Sequence, residues 1–186
     1  GMRQILFGLF KKIVIADTCA IYVNDVFSNY EMYSGMTLFL GGVLFAFQIY
    51  GDFSGYSDIA IGTSKLLGFR LSQNFAFPYF SRDIAEFWRR WHISLSSWFR
   101  DYIYIPLGGS KKGLFQNIRN VFIVFTISGL WHGANYTFLV WGLSHALFFV
   151  PLVLLRKNRN HLEIIAKEKL FPSLKELFSV LLTFIL

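Results

Sequence analysis

An all-α fold, a multi-pass transmembrane helical bundle edged by amphipathic helices at the interface, is what this sequence predicts. Three observations carry that prediction. Apolar residues make up 54% of the 186 residues, charged residues only 16%, and phenylalanine alone occurs 22 times, against roughly a quarter charged residues in an average soluble domain. Two stretches without Lys, Arg, Asp or Glu reach or pass the length of a membrane span: 20 residues from Met32 to Gly51 and 36 from Asn120 to Leu155. Elsewhere the apolar residues recur at helical spacing.

In chain order, Ile5, Leu6, Leu9, Phe10, Ile13 and Val14 mark one face of a helix, with Lys11 and Lys12 set among them. That pattern predicts an amphipathic helix lying at the interface rather than crossing. Asp25 to Ser34 is polar and predicts a loop, and Met36 to Tyr50 is the core of the first span. Two carboxylates, Asp52 and Asp58, and three hydroxyls, Ser54, Tyr56 and Ser57, then abut that span between Gly51 and Gly62. Two readings stand side by side: a break lining a polar cavity, or a span ending in a capped interfacial turn.

Phe75 to Phe80 is an aromatic connector containing Pro78. Asp83 predicts a helix cap, with Glu86 three residues on as in a capping box. Ile84, Phe87, Trp88, Trp91, Leu95 and Trp98 then share one helical face, opposite Arg82, Glu86, Arg89, Arg90 and Ser94. Pro106 and Gly108-Gly109 end that region, and Ser110 to Gly113 is a basic turn. As one helix, Asn120 to Leu155 would be about 54 Å long, far more than a hydrocarbon core of about 30 Å. Two passes broken at Gly133-Ala134-Asn135 are expected instead. His161 to Lys175 is a mixed-charge connector, and Leu177 to Leu186 is an apolar run too short to cross. The chain reads as one partial domain, 1–186, cut from a longer membrane protein at both ends. A small complete protein with a re-entrant tail is the alternative.

The net charge of +7 admits two classes of partner, nucleic acid or an anionic membrane surface. The basic residues flank the apolar runs, which favours lipid headgroups over nucleic acid. They do so on both sides of several runs, leaving topology open. The single Cys19 has no disulfide partner within the chain. The histidines fall into neither HxxxH nor HExxH, so no metal site is expected, and no GxSxG, P-loop or GxGxxG occurs.

The chemistry therefore rests on histidine. His132, in Leu130-Trp131-His132-Gly133, sits inside the longest uncharged run. An ionisable group at membrane depth marks function by default, and imidazole moves protons near neutral pH. The residues alone favour a general base at His132 over an imidazole that merely bridges helices. His92, in Trp91-His92-Ile93-Ser94, lies at the edge of the Trp-rich face, where a lone histidine is more often structural; the functional alternative is orienting an acyl group or stabilising an oxyanion. His145, one turn after Trp141, reads as structural, and His161 as solvated.

Two longer motifs add a resemblance. Ser81 to Ser96 (SRDIAEFWRRWHISLS) with Trp98 to Gly109 (WFRDYIYIPLGG), followed by Ser128 to Asn135 (SGLWHGAN), resembles the membrane-bound O-acyltransferases of bacteria. The likeness is to the group that includes the alginate O-acetyltransferase membrane subunit and the peptidoglycan O-acetyltransferases, and it runs from about Leu9 to Leu155. The resemblance implies a larger ring-shaped helical fold with a tunnel, of which this chain is the catalytic core. It implies that His132 is the catalytic histidine and that His92 occupies the second active-site position. It implies a multi-pass protein of the bacterial cytoplasmic membrane that holds no permanent cofactor. The donor would be acetyl coenzyme A or another acyl thioester, and the acceptor a polysaccharide hydroxyl or an extracytoplasmic acyl-relay protein. Arg89, Arg90 and Arg100 would attract the donor's phosphates if they face the cytosol. D-alanyl transfer onto teichoic acid is the close alternative, and a non-catalytic channel or assembly scaffold the alternative of a different class.

Overall fold

The computed structural model describes residues 1–163, 165 and 171–186, and among them the secondary structure is helical throughout. The helices gather into two compact units, 1–74 and 75–186.

The first unit is an antiparallel helical hairpin. One arm is continuous from residue 2 to 28: α1 (Met2–Leu9), a π-helical stretch Phe10–Ala16, and α2 (Asp17–Ser28). The other arm is α3 (Gly35–Leu66), whose first turn is capped by the Ser34 hydroxyl accepting from the Thr37 amide. The arms meet at small residues: a Cβ on Gly8 would strike the Gly55 carbonyl, and one on Gly41 would strike Val26. In lipid, where apolar burial between helices gains little, such close backbone approach is what holds helices together. α3 ends in a Schellman turn through Gly68, which adopts φ +83° as the residue after a helix end often must.

Two expectations for this unit change. The amphipathic stretch Ile5 to Ala16 is no isolated interfacial helix, because it packs along α3 for its whole length. Gly51 to Gly62 is neither a break nor a terminal turn but helical interior. Its glycines receive the other arm, and its carboxylates are met by lysines: Lys11 lies 2.7 Å from Asp58 and Lys12 lies 2.6 Å from Asp52. Both carboxylates have a cation at hand, so α3 has no cause to unwind there. The polar stretch Asp25 to Ser34 is a loop only in part: α2 runs on to Ser28, and a 3-10 turn follows at Tyr30–Met32.

The second unit centres on a hairpin of α6 (Leu114–His132) and α7 (Tyr136–Leu154). The break falls at Gly133 to Asn135, as expected, and the Asn135 side chain caps α7 by accepting from the Thr137 amide. Val121, Phe125, Ala146 and Val153 form the buried core, with Trp88, Tyr104, Ile118, Phe122 and Phe149 packed against it. Asn120 is fully buried at 0% exposure and donates to the carbonyls of Gly109 (3.0 Å) and Leu107 (3.4 Å), pinning the basic turn onto α6. α8 (Leu174–Ile185) opens with a full Ser173–Glu176 capping box. Part of the connector expected over His161 to Lys175 lies outside the described residues.

The long amphipathic helix expected from Ile84 to Trp98 is two helices, α4 (Ile84–Arg90) and α5 (Ile93–Phe99). They are separated by Trp91 and by His92 in the left-handed region, φ 43°. The capping box is half formed. Asp83 accepts from the Glu86 amide at 2.7 Å, but the Glu86 carboxylate turns to Arg82 instead. α3 and α7 are long and apolar enough to cross a membrane. Many large apolar side chains stand exposed, Phe39, Leu40, Leu147 and Phe148 among them, as a surface meant for lipid or for further protein requires.

Candidate active site

His132 is the last residue of α6. Its position follows from a close helix crossing below it: a Cβ on Gly129 would strike the Phe138 carbonyl, and one on Gly142 the Phe125 carbonyl. With the two backbones that near, the His132 ring meets Trp141 edge-on at 5.0 Å and stacks with Phe138 at 6.0 Å. Trp131 beside it lies at 5.1 Å. One side of the imidazole is thus walled by aromatic rings, while the residue as a whole remains exposed.

His92 arrives from the α4–α5 break. Its left-handed backbone starts α5, the His92 carbonyl accepting from the Ser96 amide at 2.9 Å. A histidine in that conformation is uncommon and costs about 1 kcal/mol or more. The strained residue carries its ring to Trp131, 6.3 Å between centroids. Two histidines 40 residues apart in sequence therefore flank one indole. Burial, and next the neighbouring His132, hold the His92 imidazole below its ordinary pKa, so it is neutral at pH 7.

The aromatic frame continues past His132. Trp141 also contacts His145 at 4.6 Å, and Trp88 of α4 closes on both, 5.9 Å from Trp141 and 5.1 Å from His145. His145 has the packing role expected of it. Its Nδ1 and the Trp88 Nε1 are buried and have no hydrogen-bond partner among the described residues.

A buried ionic cluster holds α4 in place. Glu86, 1% exposed, accepts from the Arg82 amide (2.7 Å), from Arg82 Nε (3.1 Å) and Nη2 (3.0 Å), and from Arg90 Nη2 (2.6 Å). Burial opposes ionisation of that carboxyl, but the hydrogen bonds from Arg82 and the Arg90 charge outweigh it and keep the group below the usual carboxylate range. Arg82 reaches on to Glu176 and to the Glu163 carbonyl.

The three arginines singled out in the sequence have separate engagements. Arg89 donates to the carbonyls of Asn158 and His161, both at 2.9 Å. Arg90 is held by Glu86 and the Ala76 carbonyl. Arg100 pairs with its neighbour Asp101 at 2.8 Å and stands 60% exposed. His161, expected to be merely solvated, lies 3.7 Å from Asp83, because Arg89 draws its segment onto α4. The hub role of Glu86 and the burial of Asn120 were not foreseen. Trp141 and His145, four residues apart on α7, are the part of the frame that the sequence spacing makes legible; His92, four residues after Trp88, meets Trp131 instead.

The model of the membrane-bound O-acyltransferase family matches residues 1–182. A probable alginate O-acetylase of Pseudomonas putida is 48% identical over 148 residues, 80% of this chain and 30% of the relative. A peptidoglycan O-acetyltransferase of Helicobacter pylori is 44% identical over 147 residues, 79% of this chain and 28% of the relative. A teichoic acid D-alanyltransferase of Bacillus subtilis is 32% identical over 156 residues, 79% of this chain and 39% of the relative. The chain therefore spans well under half the length of these relatives.

Proposed function

Because this chain belongs to the membrane-bound O-acyltransferase family, we propose that it is the catalytic core of a bacterial enzyme moving an acetyl group from a cytosolic thioester toward a hydroxyl of an extracytoplasmic polysaccharide. His132 is the general base. It takes the hydroxyl proton as the oxygen attacks the thioester carbonyl; the tetrahedral intermediate collapses, the C–S bond breaks, and the proton passes to the departing thiolate. The imidazolium formed in between sits at the carbonyl end of α6, where the helix dipole favours positive charge. His92, neutral and flanking Trp131 from the other side, orients the acyl group or donates to the developing oxyanion. In this reading both compact units belong to one core within a longer multi-pass protein of the cytoplasmic membrane, whose remaining helices complete the ring and tunnel. Arg100, the most exposed of the three arginines, is the candidate for the donor's phosphates, with Arg89 and Arg90 acting chiefly on their own chain.

The observation that carries the proposal is the meeting of His92 and His132 on Trp131, achieved through a strained backbone at one and a glycine crossing at the other. The Bacillus relative supports a second reading, D-alanyl transfer onto teichoic acid, which uses the same histidines. Supplying the intact protein with acetyl coenzyme A or with an acyl-charged carrier protein separates the two readings. A non-catalytic channel or scaffold predicts unchanged acetyl content of the surface polymer in His132→Ala cells. The enzyme predicts its loss at unchanged protein level.

A further inference from the structure

Between Asp101 and Glu163 the sequence holds no acidic residue and six basic ones: Lys111, Lys112, Arg119, Arg156, Lys157 and Arg159. The α6–α7 hairpin brings all six to one end. Lys111 and Lys112 occupy the turn before α6, Arg119 lies in its second turn, and the other three follow α7. Both segments are pinned by engaged polar side chains. Buried Asn120 holds the carbonyls of Leu107 and Gly109, and Arg89 holds those of Asn158 and His161. Tyr104, bonded to Asn117 at 2.6 Å, lies within the field of Arg159, which places the two segments together.

The end of α7 shows how firmly this arrangement is set. The Lys157 amide donates to the Leu152 carbonyl at 2.8 Å and the Arg156 amide to Val153 at 3.1 Å, a Schellman turn. Its left-handed position, filled by glycine at the end of α3, is filled here by Arg156 at φ 55°. All six basic residues are exposed, and the five outside α6 have no ion-pair partner among the described residues. Exposed apolar side chains stand at the same level: Leu114, Phe115 (81% exposed), Leu154 and Leu155. The opposite end, from Ile127 to Leu139, carries no formal charge. About 27 Å of helix separates Leu114 from His132, close to one hydrocarbon thickness.

We propose that this cationic collar is a binding site for anionic phospholipid headgroups of the cytoplasmic leaflet. The proposal rests on the membrane reading above. Unpaired cations ringed by exposed apolar side chains fit a headgroup with its acyl chain better than a water-soluble phosphate. Positive charge also partitions to the cytoplasmic side.

The test uses the intact protein in nanodiscs of mixed phosphatidylglycerol and phosphatidylcholine, with retained lipid counted after detergent exchange. Lys112→Gln with Arg159→Gln lowers phosphatidylglycerol retention by about tenfold or more. Arg3→Gln with Arg70→Gln, which removes the same charge elsewhere, leaves retention unchanged. Equal retention by both double variants, at equal melting temperature, overturns the site. So does displacement of the lipid by inorganic phosphate or coenzyme A at concentrations below those of the lipid, since the collar would then serve a soluble anion. In a cysteine-free background of the intact protein, Lys112→Cys is labelled by an impermeant maleimide in inside-out vesicles and not in right-side-out ones; the reverse pattern overturns the placement of the collar in the cytoplasmic leaflet. Resistance of the same preparation to carbonate extraction tests the membrane reading separately.

Discussion

The chain contains two antiparallel helical hairpins built on the same backbone device and lined with opposite chemistry. In each, a glycine of one helix abuts a carbonyl of the other, Gly8 against Gly55 in the first and Gly142 against Phe125 in the second. In the first hairpin two lysines at the helix contact meet carboxylates: Lys11 with Asp58, and Lys12 with Asp17 and Asp52. In the second, the two imidazoles between Asn120 and Leu155, His132 and His145, are set against indole and phenyl rings instead of carboxylates. A paired charge is committed to holding the fold. An imidazole held only by ring contacts keeps a nitrogen able to exchange a proton. Under the proposed function, the chemistry falls to the second hairpin.

The comparison is most sharply tested at the ionic cluster that supports the reactive hairpin. Glu86→Ala leaves Arg82 and Arg90 facing each other without their shared acceptor, and a broken buried pair costs about 3–5 kcal/mol. Chemical denaturation of the purified protein should show a loss of that size and, with it, loss of transfer activity. Gly142→Val comes next: its side chain collides with backbone, which cannot give way as a flexible side chain would. Overpacking of about 1–3 kcal/mol is expected, with a fall in activity exceeding the fall in folded protein because the Trp141–His132 contact shifts.

A smaller effect is pH-dependent. His92 has its folded pKa depressed below 6.5, so the unfolded chain binds more protons than the folded one between those two values. Stability attributable to His92 is whole above pH 6.5 and declines as pH falls through that window. Melting curves from pH 7.5 to pH 5 should show this slope, and His92→Gln should flatten it. Lys12→Gln is expected to do least. Lys12 and its partners Asp17 and Asp52 are each 44–55% exposed, and such pairs contribute little. A melting temperature moved by more than about two degrees would show that the first hairpin depends on its charges after all.

How much of this was legible in the sequence differs by element. The α6–α7 break at Gly133 to Asn135 and the Asp83 cap were legible, because turn chemistry and capping are written in neighbouring residues. The continuity of α3 through Gly51 to Gly62 was not. Those glycines and carboxylates look like a break until Gly8, Lys11 and Lys12 from the other arm are placed opposite them. The division of the expected helix at Trp91 and His92 was also invisible, since the periodic face from Ile84 to Trp98 continues across it. Only the left-handed conformation of His92 shows that the ring leaves that face. At the site, the two histidines stood out by residue type and motif. That one tryptophan, Trp131, would lie between them required the fold.

The central claim is that His132 carries the proton from the acceptor hydroxyl. Its most direct measurement is the initial rate of acyl transfer by the purified intact protein and by its His132→Ala variant, with folded content matched by far-ultraviolet circular dichroism. We predict a fall of about 10²–10⁴-fold at an unchanged melting temperature, since the residue is exposed and little packing is lost. A rate within about threefold of the parent would contradict the account, because no single lost general base leaves so much behind.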